Sequence, residues 1–389
     1  MRGSIQKRGK GSWRLVFDLD RDQRGKRRQK TVTFRGNKKD AEAELSRLVA
    51  EFENGGFVEP TKLTLSEFLE YWLESHAAPS VSAKTLERYE DICRHHLIPA
   101  LGSRLLQKLS STEVQAYYTE ARKSGRRLGE GGLADRTVLH HHRILRSALK
   151  QALTHRLISF NPTDAVKAPR PENKEIAAID EAQTAVLLAA ARETTIYIPI
   201  LLAVTTGLRR GEVLALRWKD INLDSGILTV NQTLEQTRGG VRAKAPKTKS
   251  SRRSVTIPDV AMGDLREHRR TVAERCLRLG MGWDDEALIC ARYDGQPRSP
   301  HAFSRAFDKL VAVTDIPRIT FHGLRHSHAT QMLRIGVHPK VAQERLGHST
   351  IATTLDLYSH VTKSMQQDAA EQIDATLRDA FRRHSENKN

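Results

Sequence analysis

Tyr358 stands shortly after Leu346-Gly347-His348-Ser349, downstream of two separate arginine-bearing segments and a lysine-rich turn. A phenol with a pKa of about 10 is a weak nucleophile in water. To attack a phosphodiester it needs cations that hold the phosphate and an acid that protonates the leaving oxygen. The chain carries both kinds of group. In Thr206-Gly207-Leu208-Arg209-Arg210-Gly211-Glu212, Gly207 supplies a tight turn at the start of a helix. Arg209 and Glu212, three residues apart, then share a face, so the carboxylate can orient the guanidinium while Leu208, Leu214 and Leu216 enter a core. Alone, this pattern would be a surface ion pair. In His322-Gly323-Leu324-Arg325, however, the same spacing sets an imidazole beside a second guanidinium. Two planar forks can grip one phosphate and offset the charge on its equatorial oxygens, work otherwise done by Mg²⁺. No metal or other cofactor is therefore expected. A zinc site at His322, His326 and His328 lacks an HExxH glutamate and would lie among cations.

Between the arginine segments, residues 227–233, 241–245 and 253–257 read as strands, and 245–251 (APKTKSS) as the turn of a lysine-bearing hairpin. An ammonium there could approach a departing 5′ oxygen and donate a proton, or could simply contact phosphate. Lys247 and Lys249 lie two apart, and strand alternation puts both on one face.

These groups need a scaffold. At 389 residues the chain exceeds one ordinary domain of about 100–200 residues and should divide into two or three. Hydrophobic residues make up 39%, enough for real cores, and the net charge of +18 calls for a polyanionic partner. With no signal peptide or transmembrane run, nucleic acid in the cytosol is expected rather than a membrane surface. Cys93, Cys276 and Cys290 show no paired spacing and read as reduced thiols.

Residues 1–39 hold 14 Lys/Arg against 3 Asp, a net of +11. Alternation in 12–20 and 28–34 reads as two strands, and Asn37 as the N-cap of a helix over 38–52 with Ala41, Leu45, Leu48, Val49 and Phe52 on one stripe. A small folded basic module is expected rather than a disordered arm. From Thr64 the pattern turns helical, with segments 68–73, 82–98, one from Ser111 or Thr112 to Ala121, and 135–157 forming a bundle. Arg126 and Arg127 in the glycine-rich loop 124–132 could lie along phosphates or belong to a plain linker. His140-His141-His142 cannot converge on one ion, because adjacent helical residues point about 100° apart, so they are expected to face solvent or DNA. Asn161-Pro162 and the run 168–171 mark a linker.

The order Thr-Gly-Leu-Arg-x-x-Glu, Lys in a hairpin, His-x-x-Arg, Leu-Gly-His and a late Tyr resembles the tyrosine site-specific recombinases, the group that includes bacteriophage lambda integrase. The resemblance spans about 175–361. It implies Tyr358 as nucleophile, Arg209 and Arg325 as phosphate clamps, Lys247 as general acid, His322 as acid/base partner, His348 as a donor to the phosphate and Glu212 as a supporting carboxylate. The spacing from His348 to Tyr358 is ten positions where some relatives have nine. The layout is similar to that of phage and integrative-element integrases. It implies a multidomain, mainly α fold with small sheets: a β-rich arm-type DNA-binding module over 1–60, a helical SAM-like core-binding domain over 61–168 and a mixed α+β catalytic domain over 175–389.

The implied activity is cutting and rejoining of double-stranded DNA at core-type and arm-type sites through a 3′-phosphotyrosine, integrating or excising a mobile element. The implied partners are three further copies in a homotetramer on DNA, together with a host DNA-bending protein and an excision factor. Residues 363–384 form an amphipathic tail helix with Met365, Ala369, Ile373, Leu377 and Phe381 along one edge, suited to pack on its own subunit or a neighbour. A type IB topoisomerase would share the chemistry, and a DNA-binding regulator would share the surface but not the complete set of reactive residues.

Overall fold

The computed structural model describes residues 3–19, 28–53, 58–172, 177–245, 252–355 and 370–383 apart from 372 and 379. The chain divides into two compact units, Met1–Asn173 and Lys174–Asn389. Each is mainly helical with small antiparallel sheets.

In the first unit, strands Gly3–Gly9, Ser12–Leu19 and Arg28–Arg35 form a three-stranded meander. Alternation turns Leu15 and Phe17 of the central strand onto Ala41 and Leu48 of the helix Lys38–Glu53, making a small core of its own. Asn37 caps that helix, its side-chain oxygen accepting from the Asp40 amide at 2.8 Å. The first strand was not expected. Its sequence GSIQKRG is exposed at nearly every position, so it carries no alternation to read.

The helical part of this unit starts at a capping box between Thr64 and Glu67. Helices Leu65–Trp72 and Ala83–Ile92 each widen into a π-turn, Leu73–Ala77 and Cys93–Leu97, just ahead of Pro79 and Pro99. A proline ring clashes with the carbonyl four residues back, and a wider turn relieves that clash. Helices Ser111–Ser124 and Asp135–Thr154 complete a core around Phe68, Leu69, Leu97, Tyr118, Leu145 and Leu149.

The solvent- or DNA-facing expectation for the histidine triplet is corrected here. His141 and His142 are buried, and the Tyr117 and Tyr118 hydroxyls meet their Nδ1 atoms at 2.8 and 3.0 Å. Partner phenols 24 residues away turn two polar rings into core members, which local periodicity cannot reveal. Arg126 is also committed, folding its own loop through the carbonyls of Glu130 and Gly132.

In the second unit, the buried helix Tyr197–Thr206 runs through the main core, with Ile200, Leu201, Leu202 and Ala203 against Leu214, Leu228, Phe307 and Leu324. Strands Ile221–Asn222, Ile227–Val230 and Arg253–Thr256 form one antiparallel sheet, and Thr233–Thr237 with Gly240–Lys244 a separate hairpin. The expected single strand over 227–233 is thus two strands in different pairings. The strands on either side of the lysine turn pair elsewhere, one with Thr233–Thr237 and the other with Ile227–Val230. Lys247 and Lys249, and the hairpin turn expected to carry them, lie between these strands and outside the described residues. In the tail, the described residues 370–383 are helical, with Ile373, Leu377 and Phe381 exposed. Met365 and Ala369 lie outside the described residues. Among the described residues, no helix is long and apolar enough to cross a membrane.

Candidate active site

The site forms where helix Tyr197–Thr206 ends, helix Arg210–Ala215 begins, and helices Phe321–Arg334 and Pro339–Leu346 meet them. Gly207 closes the first of these in the left-handed region, φ +68°. A Cβ there would lie 2.6 Å from His328 Cδ2 and 2.8 Å from Leu346 Cδ2, so both backbone sign and space demand glycine. That turn sets Arg209 immediately before the next helix rather than on it, with an extended backbone (φ −71°, ψ 150°). Glu212, in the first turn, reaches back: Oε2 accepts from the Arg209 amide at 2.9 Å and Oε1 from Arg209 Nη1 at 2.8 Å. The expected pair forms, but as a helix start in which the carboxylate is buried and the arginine side chain stays 37% exposed.

Arg325 lies 118 residues beyond Gly207. Thr320 caps its helix, and Gly323 packs flush on Ile319, so Arg325 is drawn into the core at 3% exposure. Its Nη1 donates to the Gly207 carbonyl at 2.8 Å and its Nη2 to that of Leu346 at 2.6 Å. Arg209 Nη2 donates to the next carbonyl, Gly347, at 3.0 Å. Helix Pro339–Leu346 ends there in a left-handed Gly347, φ +65°, and its last carbonyls have no intrahelical donors. Two guanidiniums from distant segments supply them and complement the negative end of the helix dipole.

Arginine 253 also belongs to this cluster, and the sequence reading missed it. Its Nη2 donates to Glu212 Oε2 at 2.9 Å, its Nη1 to Oε1 at 3.2 Å, and its Nε to the Arg345 carbonyl at 2.7 Å. Arg345 and His328 were missed too. Arg345 donates to the Thr205 carbonyl and to His328 Nε2, while His328 Nδ1 faces the Val204 carbonyl at 2.9 Å. Those partners assign the proton to Nδ1 and leave the ring neutral. Burial, then Arg345, pushes its pKa down to about 4, in agreement with that assignment.

Two guanidiniums, those of Arg209 and Arg253, thus bind the Glu212 carboxylate, and a third, that of Arg325, feels its charge. Burial would raise the pKa of Glu212, but hydrogen bonds from Arg253, then its charge and the contacts from Arg209, more than offset this and leave it lowered. Arg325 is pushed down to about 9 by burial and then by Arg209, and stays cationic at neutral pH. The cluster therefore has a surplus of positive charge in a partly dry setting, which an anion would relieve.

His322 and His348 border it. Burial, then Arg325 and Arg209, pushes His348 down to about 4, and Thr354 Oγ1 holds its Nδ1 at 3.0 Å, leaving Nε2 to meet a ligand. His322 packs edge-on against His326 with ring centres 5.0 Å apart. Partial burial, then His326, Arg325 and Arg209, pushes its pKa down to about 4. Both rings are neutral at pH 7 and able to donate or accept. Of the expected residues, the structure brings together Arg209, Glu212, His322, Arg325 and His348. Lys247 and Tyr358 lie outside the described residues, the latter three positions beyond the helix Ile351–Leu355 that fixes His348.

Comparison with known proteins shows the family to which this fold belongs. Residues 175–365 match the model of the phage integrase family, and residues 64–121 that of the phage integrase N-terminal SAM-like domain. A XerC-like tyrosine recombinase of Caldanaerobacter subterraneus subsp. tengcongensis is 27% identical, covering 96% of this chain and 98% of its own length. The ICEBs1 integrase of Bacillus subtilis is 28% identical over 70% of this chain and 72% of its own. Among solved structures, the Tn1549 transposon integrase in complex with a circular intermediate DNA superposes with a TM-score of 0.66 at 20% identity, covering 80% of this chain and 99% of that one. A lambda integrase dimer bound to a COC′ core site gives 0.56 at 19% identity, covering 92% and 95%. The chain belongs to the phage integrase family of tyrosine recombinases. It is a site-specific DNA recombinase, an enzyme that cuts and rejoins DNA strands.

Proposed function

We propose that Tyr358 is the nucleophile of this recombinase and that Arg209 and Arg325 clamp the scissile phosphate. One observation carries the reading: guanidiniums from segments more than a hundred residues apart hold the adjacent carbonyls of Leu346 and Gly347, with His348 next in sequence. The charge surplus described above is what a phosphodiester would neutralise. Attack forms the Tyr358 Oη–P bond and breaks the P–O5′ bond. Lys247 or Lys249 gives the proton to O5′, His322 as the acid/base partner takes the proton released by the Tyr358 phenol, and His348 donates a hydrogen bond to a non-bridging phosphate oxygen. The product is a 3′-phosphotyrosine and a free 5′ hydroxyl. One phosphodiester replaces another of similar energy, so the step needs neither ATP nor a metal and runs in both directions.

Reversibility places control of direction in assembly. In this reading the basic module of residues 1–60 binds arm-type sites, the helical domain of 61–168 clamps the core site, and 175–389 performs the chemistry. Two tethered modules raise effective concentration on correctly spaced DNA. Exposed Ile373, Leu377 and Phe381 give the tail helix an edge that packs on a neighbouring protomer in a homotetramer. A host DNA-bending protein and an excision factor would bias the outcome, in the bacterial cytoplasm at the nucleoid. The testing experiment mixes two duplexes bearing an attachment sequence with the full-length protein and no nucleotide. Joined recombinant strands support the reading, whereas relaxation of any supercoiled plasmid without joining contradicts it.

A further inference from the structure

Arg253 opens the strand Arg253–Thr256, pinned to Ile227–Val230 by antiparallel pairing, and its side chain is only 6% exposed. It follows directly on the lysine-bearing connection. Its guanidinium spans both oxygens of Glu212, at 2.9 and 3.2 Å, and its Nε holds the Arg345 carbonyl at 2.7 Å. With Arg325 on the Leu346 carbonyl and Arg209 on that of Gly347, three arginines thus occupy three consecutive carbonyls at the end of one helix. Glu212 connects two of the three. Its buried carboxylate accepts two bonds from Arg209 on one side and two from Arg253 on the other.

We propose that Arg253 is a positioning residue for strand cleavage: it fixes the Glu212 carboxylate, and through it the aim of Arg209, while holding the turn that carries His348. The inference deepens the proposed function and rests on its assignment of Arg209 as a phosphate clamp. The physical basis is the shape of the group. A planar fork with fixed N–H directions satisfies two carboxylate oxygens and a carbonyl at once, whereas an ammonium is a point charge that serves fewer of them. Without that second fork, Glu212 keeps only Arg209 as its described arginine partner and is free to rotate, and Arg209 turns with it. A clamp displaced by about an ångström loses much of its effect on the transition state while the rest of the DNA contact stays intact.

The test uses full-length protein and single-turnover cleavage of nicked duplexes with three kinds of scissile linkage. One is the native phosphate. The second is a methylphosphonate, which lacks the negative charge that a guanidinium clamp offsets. The third bridges phosphorus to a 5′ sulfur, a leaving group that needs no proton. Arg253→Lys is expected to keep DNA affinity within about threefold and to cleave the native linkage roughly 10- to 100-fold more slowly. That deficit should shrink on the methylphosphonate and persist on the sulfur-bridged duplex.

Native-like cleavage by Arg253→Lys would overturn the proposal. So would a deficit equal on all three linkages, which marks general damage to the fold, or one abolished by the sulfur, which would make Arg253 an anchor of the lysine connection instead. Arg253→Met, checked by its unfolding midpoint, must show the same ranking among the three substrates. Arg209→Lys is the control for the underlying reading. If its own deficit fails to shrink on the methylphosphonate, the clamp assignment falls and this proposal falls with it, whereas shrinkage for Arg209→Lys alone refutes only the role of Arg253.

Discussion

Arg209 and Arg253 hold the same carboxylate from opposite chain segments, 2.8 Å from Arg209 Nη1 to Glu212 Oε1 and 2.9 Å from Arg253 Nη2 to Oε2. Neither arginine is near the other in sequence, so Glu212 acts as the joint at which a helix start and a strand start are tied together. Removing that joint leaves buried positive charge without its partner. Glu212→Ala is expected to lower unfolding free energy by about 3–5 kcal/mol, read from urea denaturation. An effect below about 1 kcal/mol would show that the carboxylate is not holding the cluster.

The second clamp depends on geometry as well as charge. Arg325 holds two carbonyls, those of Gly207 and Leu346, from two nitrogens fixed in one plane, a geometry that the rotating point charge of an ammonium does not reproduce. Arg325→Lys should reduce cleavage by roughly 10²–10³-fold while core-site affinity changes little. Loss of affinity in parallel with cleavage would place Arg325 in general DNA binding.

Gly207 is the position least able to accept a side chain. Its φ of +68° is combined with the 2.6 Å approach that a Cβ would make to His328. Gly207→Ala should cost about 1–3 kcal/mol and slow cleavage, because the turn that releases Arg209 must shift. Wild-type cleavage by this variant would separate the turn from the site.

Acid stability follows from two buried rings. His141 and His328 are each pushed down to about 4, by burial first and then by His96 for the one and Arg345 for the other, against an ordinary value of 6.5. The unfolded chain therefore takes up protons before the folded one as pH falls. The stabilisation is complete above about pH 6.5 and is lost progressively toward pH 4, at about 1.4 kcal/mol per pH unit for each ring. Urea midpoints between pH 4 and 8 check this, and a midpoint that stays flat from pH 6.5 to 4.5 would contradict it.

What could be read from the sequence was local or repeated in order. Asn37 and Thr64 announce their helices because a cap is a short-range bond between a side chain and an amide three residues on. Arg209, Glu212 and Arg325 were legible because their spacing recurs on two segments. Arg253 was not: it follows another arginine in a basic run, and only the fold brings it to Glu212, 41 residues away. His141 and His142 were misread for the same reason, since Tyr117 and Tyr118 lie on another helix. The pairing of strands around the lysine connection was hidden as well, because alternation shows that a strand exists but not which neighbour it meets.

Strand cleavage turns on one oxygen atom, Tyr358 Oη. Full-length protein incubated with a nicked duplex in EDTA should form a covalent adduct linked through Tyr358 to a 3′ phosphate, and Tyr358→Phe should bind the same duplex without forming it. An adduct that survives in the phenylalanine variant, or one that disappears from the wild type when divalent ions are removed, would contradict the central claim.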